Sequence, residues 1–176
     1  MKFIYSERVA RWAEPGDNGK SPIDVALEDL ETDVICDVDV LSLIAVESMG
    51  NPSAHRHGSQ FYGLLQMGRY AGLDVGMEDL GRHTTKGLSG NGIAALVAFV
   101  EYVNRYADRV YSPESVAVLW KGGPGTAKAV LEAVEDGTDF DDAVDKAEAG
   151  ELDNTPIGNL SEYVRRFRGF KEVYHG

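Results

Sequence analysis

One apolar run ending in a carboxylate constrains this chain more than any other feature. Val38-Asp39-Val40-Leu41-Ser42-Leu43-Ile44-Ala45-Val46 leads into Glu47, and Ser48-Met49-Gly50-Asn51-Pro52 follows. The run reads as a helix from about Asp37 to Met49, stopped by Gly50-Asn51-Pro52. On that helix Val40, Leu43, Ile44 and Glu47 share one stripe, because residues three and four apart lie on one face. A carboxylate placed among core groups must find a partner or hold its proton longer than usual. A glutamic acid protonated near neutral pH is suited to act as a general acid on a glycosidic bond. The plainer reading is a helix-end residue whose head reaches water, and spacing alone leaves both open.

Composition narrows the classes. A chain of 176 residues suits a single domain, which at that size buries about 70% of its unfolded surface. We read residues 1–35 as an amino-terminal extension with a first helix, and 36–173 as the core. No run approaches the ~20 apolar residues that span a bilayer, and the charged start Met1-Lys2-Phe3-Ile4-Tyr5-Ser6-Glu7-Arg8 is unlike a secretory signal. No membrane partner is expected. Cys36 is the single cysteine, so no internal disulfide can form, and beside an apolar helix it reads as a small buried filler. The net charge of −12 argues against a nucleic-acid partner, since phosphate neutralisation demands lysine and arginine. The acid crowds residues 28–39 and 132–151, in runs that read as solvated helix faces.

Helix signals dominate elsewhere. Ser21-Pro22 is an N-cap with proline at the first helical position, opening a helix to about Glu31. Residues 50–62 lack helical period and read as a loop or short hairpin. Ile93, Leu96, Val97, Val100 and Val103 mark one face of an amphipathic helix over 91–107. Ser112-Pro113 repeats the cap signature for a helix ending near Lys121. Gly122-Gly123-Pro124-Gly125 breaks it, and Thr126 is expected to cap a further helix to Glu135, closed by Gly137. A short acidic helix over 139–149 precedes a last one from Ser161 to Tyr174, with Tyr163, Phe167, Phe170 and Tyr174 on one side.

Glu47-Ser48, then Asn51-Pro52-Ser53-Ala54, then Gly63-Leu64-Leu65-Gln66-Met67 resembles the signature of the soluble lytic transglycosylases, the goose-lysozyme-like cleavers of peptidoglycan. Their pattern runs Glu-Ser, Asn-Pro-x-Ala, Gly-Leu-Met-Gln. Leu119-Trp120-Lys121-Gly122-Gly123-Pro124-Gly125 is similar to their Ala-Tyr-Asn-x-Gly-Pro-Gly, and Tyr163-Val164 to their terminal Tyr-Val pair. The resemblance spans roughly residues 36–173. It implies a mainly α, lysozyme-like fold with a small irregular β-hairpin region beside the catalytic glutamate.

The resemblance also implies a chemistry, in which one glutamate performs both proton transfers. Glu47 would protonate the leaving glycosidic oxygen while the substrate's N-acetyl group supports the oxocarbenium ion. It would then take the proton from the sugar's 6-hydroxyl, giving a 1,6-anhydro product. No cofactor is implied, and the substrate is a peptidoglycan glycan strand. Ser48, Gln66, Trp120, Lys121 and Tyr163 carry over as substrate-binding candidates. Each has a competing reading: a helix-end hydroxyl for Ser48, loop support for Gln66, and packing for Trp120 and Tyr163. Tyr163 is also a candidate to hydrogen-bond Glu47.

Hydrolytic glycosidases need a carboxylate pair. Asp74 and Glu78, the nearest acids downstream, read as exposed. Three departures from the family pattern stand out. Lys121 replaces asparagine and should lower the pKa of a nearby carboxyl. His55-Arg56-His57-Gly58-Ser59-Gln60-Phe61-Tyr62 replaces Ser-x-x-Gly-Ala, and Asn159-Leu160 replaces Glu-Thr. His55 and His57 alternate as on a strand; without a third ligand nearby they suit a polar lip of a sugar groove rather than a metal site. A wall enzyme without an export signal suits a bacteriophage, as a tail-associated virion component or as an endolysin held in the host cytoplasm until release. Phage tail or baseplate proteins are then expected partners. The rival readings are an inactive, lysozyme-like tail or baseplate subunit and a hydrolytic lysozyme.

Overall fold

The computed structural model describes residues 7–175, and the side chains of Tyr174 and His175 lie outside that description. Tyr174, expected on the aromatic face of the last helix, is therefore not placed. Eight α-helices are seen among the described residues: α1 (Glu7–Ala10), α2 (Pro22–Leu27), α3 (Asp37–Ser48), α4 (Arg69–Asp74), α5 (Gly92–Arg105), α6 (Pro113–Glu135), α7 (Phe140–Glu148) and α8 (Leu160–His175). The protein is mainly α. Among the described residues no helix is long and apolar enough to cross a membrane.

The capping chemistry read from sequence is present. Ser21 accepts from the Asp24 amide at 3.0 Å while its own amide donates to Asp24 at 3.2 Å. Ser112 and Ser115 exchange the same reciprocal bonds at the start of α6, satisfying amides that the first helical turn leaves without partners. α2 stops at Leu27 rather than near Glu31. Past its end, the Asn104 side chain accepts from the Glu31 amide and donates to the Asp29 carbonyl, both at 2.8 Å.

α3 lies at the centre. Val40, Leu41, Leu43, Ile44 and Ala45 are buried on it, and one apolar cluster runs from Val9 through α3 and α5 to Phe170 on α8. A second cluster joins α6, α7 and the start of α8 through Val118, Val130, Val144, Leu160 and Val164. The amino-terminal residues belong to the first. Trp12 is buried, and its indole N–H donates to the Gly50 carbonyl at 3.1 Å, gripping the end of α3.

Several expectations need correction. On α5 the inward residues are Leu96, Phe99, Val100 and Val103, whereas Ile93 and Val97 are 52% and 44% exposed. The helix is apolar nearly all round, so periodicity drew the stripe about one residue off. Cys36 is exposed; it sits at the N-cap of α3 with its thiol donating to Asp39 at 3.3 Å. α6 bends at Gly123, whose φ of 84° only glycine adopts freely. Pro124, not Thr126, restarts the helix, and Thr126 is buried within it. The expected β-hairpin region contracts to a single antiparallel bridge, Tyr62–Met67. Side chains tie that loop down in place of a ladder: His55 stacks on Tyr62 at 4.0 Å, and the Tyr62 hydroxyl meets His83 Nδ1 at 2.8 Å. His57 is exposed, and no group of three metal-binding side chains occurs among the described residues.

α3 and α8 run antiparallel and are joined by a buried ion pair that sequence did not single out. Asp39 is 2% exposed and lies 3.1 Å from Lys171 Nζ, and its second oxygen accepts from the Cys36 amide at 2.9 Å. Lys171→Met leaves that carboxylate without its cation and should cost on the order of 2–4 kcal/mol, with Asp39→Asn in the same chain restoring part of the loss. Urea unfolding of the single and double variants measures both.

Candidate active site

Glu47 occupies the last turn of α3. Its Oε1 accepts a hydrogen bond from the Tyr163 hydroxyl of α8 at 2.6 Å. Tyr163 is buried, and burial together with the neighbouring carboxylate pushes its pKa well above 10, so at neutral pH it remains the donor. Glu47 is half-buried and lines a cleft of about 210 Å³ walled also by Phe61, Gln66, Trp120 and Lys121.

Loss of water dominates the electrostatics. Burial pushes the Glu47 pKa up from 4.5 to about 7, against three opposing influences: the Tyr163 hydrogen bond, the positive charge of Lys121 and that of Arg166. The pull of Lys121 has the sign expected from sequence, and desolvation outweighs it. The acid stays half-protonated near neutrality, because no cation approaches closely enough to pair with it among the described residues.

The walls of the cleft are built with little freedom. Trp120 donates its indole N–H to the Leu65 carbonyl at 3.0 Å and packs edge-on against Phe99 and Tyr102, with centroids 5.1 and 5.4 Å away. Packing and a place in the wall are thus one role, not two. Gln66 has a left-handed backbone, φ 52°, and its side-chain amide donates to the carbonyls of Ala54 at 2.7 Å and Gly63 at 2.9 Å. Both donors serve the loop, which leaves the amide oxygen as the group able to accept from a ligand. Lys121 is exposed and lies over the Tyr163 ring, 5.8 Å from its centroid. Ser48 and Tyr163 line neither the cleft nor its continuation: the Ser48 hydroxyl turns back to the Ile44 carbonyl at 3.4 Å, and Tyr163 is buried behind Glu47.

A second lobe of about 220 Å³ adjoins the first, sharing Phe61, Gln66, Trp120 and Lys121 and continuing past Gly68, Arg69 and Tyr70 to Asp74 and Tyr102. Asp74 is half-buried and accepts from the Tyr106 hydroxyl at 2.7 Å, which corrects its reading as exposed; Glu78 is exposed as expected. Phe61 was missed as a wall residue. It is 44% exposed although aromatic, and the one hint in sequence was its place in a polar stretch between two motif segments. His55 supports it from behind, through Nδ1 to the Phe61 carbonyl at 2.9 Å, and Gly68 leaves room for its ring, since a Cβ there would meet Phe61 at 2.7 Å. Neither His55 nor His57 lines either lobe, so they do not form the polar lip expected of them.

No protein-family model matches the chain, and no curated protein does.

The arrangement fixes the sign of two measurements. Tyr163→Phe removes a donor that stabilises the charged carboxylate, so the Glu47 pKa should rise above about 7, as read by carboxyl carbon NMR titration. The native state also holds a proton between pH 4.5 and about 7 that the unfolded chain has released, and stability is lost as pH rises through that window. Glu47→Gln should therefore stabilise the fold at pH 8 by on the order of 1–3 kcal/mol and hardly at all at pH 4, measured by urea unfolding at each pH.

Proposed function

We propose that this protein is a peptidoglycan lytic transglycosylase of lysozyme-like fold, with Glu47 as general acid and then base. The observation that carries the reading is a desolvated glutamic acid with a pKa of about 7, opening on a cleft whose wall is aromatic on two sides. In the first step Glu47 gives its proton to the oxygen of the bond between the muramic and glucosamine units as that bond breaks. Tyr163 donates to the carboxylate so formed, and Lys121 and Arg166 lower its energy further. In the second step the carboxylate takes the proton of the 6-hydroxyl, whose oxygen closes onto the anomeric carbon. Desolvation favours this return of the proton, so the group is poised for both directions.

Among the described residues of the Glu47 lobe there is no second carboxylate. Hydrolysis with an acid–base or acid–nucleophile pair would need one, whereas intramolecular attack by a hydroxyl of the sugar does not. Asp74 belongs to the adjoining lobe and is held by Tyr106. Phe61 and Trp120 would offer apolar faces to pyranose rings, and the Gln66 amide oxygen, its nitrogen engaged by the loop, would accept from an acetamido N–H. Delivery by a phage, from a tail or as an endolysin, completes the proposal. The net charge of −12 supports a particle-borne enzyme, because anionic wall polymers would not attract it from a distance.

Digestion of purified peptidoglycan, with products identified by mass spectrometry, tests the reading. Anhydro-muropeptides are expected; hydrated reducing ends would replace the transglycosylase with a hydrolase, and no products at any salt would favour an inactive tail or baseplate subunit. Glu47→Gln should lower product release by the ~10²–10⁴-fold typical of general acid catalysis. In the wild type, kcat/KM should fall as pH rises through about 7, where the acid loses its proton.

A further inference from the structure

The charged groups of the cleft are unequally engaged. Arg69, in the far lobe, is held by Asp79 through two contacts, Nε–Oδ1 at 3.1 Å and Nη2–Oδ2 at 2.9 Å. Asp74, in the same lobe, would repel an anion there. Lys121 lines both lobes, is exposed, and has no carboxylate within ion-pair distance among the described residues. Its ammonium lies over the face of the Tyr163 ring. In a chain with 29 acidic and 17 basic residues, an uncommitted ammonium beside a general acid is costly to the acid, since it draws the Glu47 pKa down. A bound anion would cancel that pull.

We propose that Lys121 is a specificity-determining residue that selects a carboxylate on the side arm of the saccharide lying across Glu47. The inference rests on the cleavage reading above. In a glycan strand stripped of peptide, that group is the lactyl carboxylate of the muramic unit; in a peptide-bearing strand the lactyl group is an amide, and the carboxylates belong to the peptide. The anion would sit in the near lobe, because Asp74 disfavours it in the far one. Its arrival offsets the charge of Lys121, so the Glu47 pKa rises when the correct substrate is in place. Binding and acid strength are thereby coupled through one charge.

The test is calorimetric binding to the Glu47→Gln protein, which holds sugar without cleaving it. The probes are the tetrasaccharide of alternating glucosamine and muramic units with free lactyl carboxylates, the same sugar with those groups as carboxamides, and a peptide-bearing form. The free acid should bind roughly 10-fold more tightly than the carboxamide, less so at high salt. Adding Lys121→Gln should bring the ratio to about one, and Lys121→Arg should keep it. The peptide-bearing sugar matching the carboxamide assigns the anion to the lactyl arm; matching the free acid assigns it to the peptide. Equal binding of acid and carboxamide, or a preference that survives Lys121→Gln, overturns the inference while leaving cleavage of peptidoglycan by the wild type intact. If no sugar binds and the wild type yields no products, the inference and the cleavage reading fall together.

Discussion

The antiparallel contact between α3 and α8 is the constraint on which the site depends. It is clasped twice: Asp39 with Lys171 at one end, Glu47 with Tyr163 at the other. Eight residues separate the two acids on α3 and the two partners on α8, about 12 Å at the helical rise. Equal spacing means that both links can close in one register, and a slide of either helix would break both. Between them lie Leu43 and Ile44 on one side and Phe167 and Phe170 on the other, all buried. Apolar packing alone tolerates small sliding; an ion pair and a hydrogen bond at fixed separation resist it.

The two clasps do different electrostatic work. Asp39 meets a lysine, so its charge is neutralised where it is buried. Glu47 meets a neutral hydroxyl, which stabilises a carboxylate without abolishing the advantage of protonation. Lys121 and Arg166 act on Glu47 only from a distance, and desolvation prevails with a pKa of about 7. Had Lys171 faced Glu47 instead, direct pairing would have depressed the pKa. Two acids on one helix, Asp39 buried and Glu47 half-buried at the cleft, therefore differ in role because of what the opposite helix presents to each.

That division also decides what was legible in the sequence. The stripe of Val40, Leu43, Ile44 and Glu47 follows from helical period alone, and the structure buries its apolar members. Caps at Ser21 and Ser112 are local chemistry and could be read directly. Asp39 could not. It lies inside an acidic run, where solvated charge is the ordinary expectation, and only a lysine 132 residues further along reveals its burial. Ile93 and Val97 failed for a related reason: residues 92–100 of α5 carry no polar side chain, so an apolar residue there carries little directional information. Asp74 and Phe61 depend on how the segments around the two lobes fold back, which periodicity does not encode. Trp120 and Tyr163 had two competing readings each, and packing is seen for both: Trp120 lies edge-on to Phe99 and Tyr102 while still walling the cleft, and Tyr163 is buried with its hydroxyl on Glu47.

The cleft wall shows the same principle carried by the backbone. Between Ala54 and Met67 the chain has almost no ladder to hold it, a single bridge at Tyr62–Met67. Gln66 stands at a φ of 52°, a conformation that costs a non-glycine residue free energy unless its surroundings enforce it. Its own amide supplies that enforcement, through the Ala54 and Gly63 carbonyls, and the Trp120 indole holds the neighbouring Leu65 carbonyl from across the cleft. The loop is therefore pinned from both directions at the residue that forms the wall. Strain kept at Gln66 spends its side-chain donors on structure and leaves the amide oxygen as its remaining polar group. The shape of this wall and its hydrogen-bonding polarity are consequences of one turn.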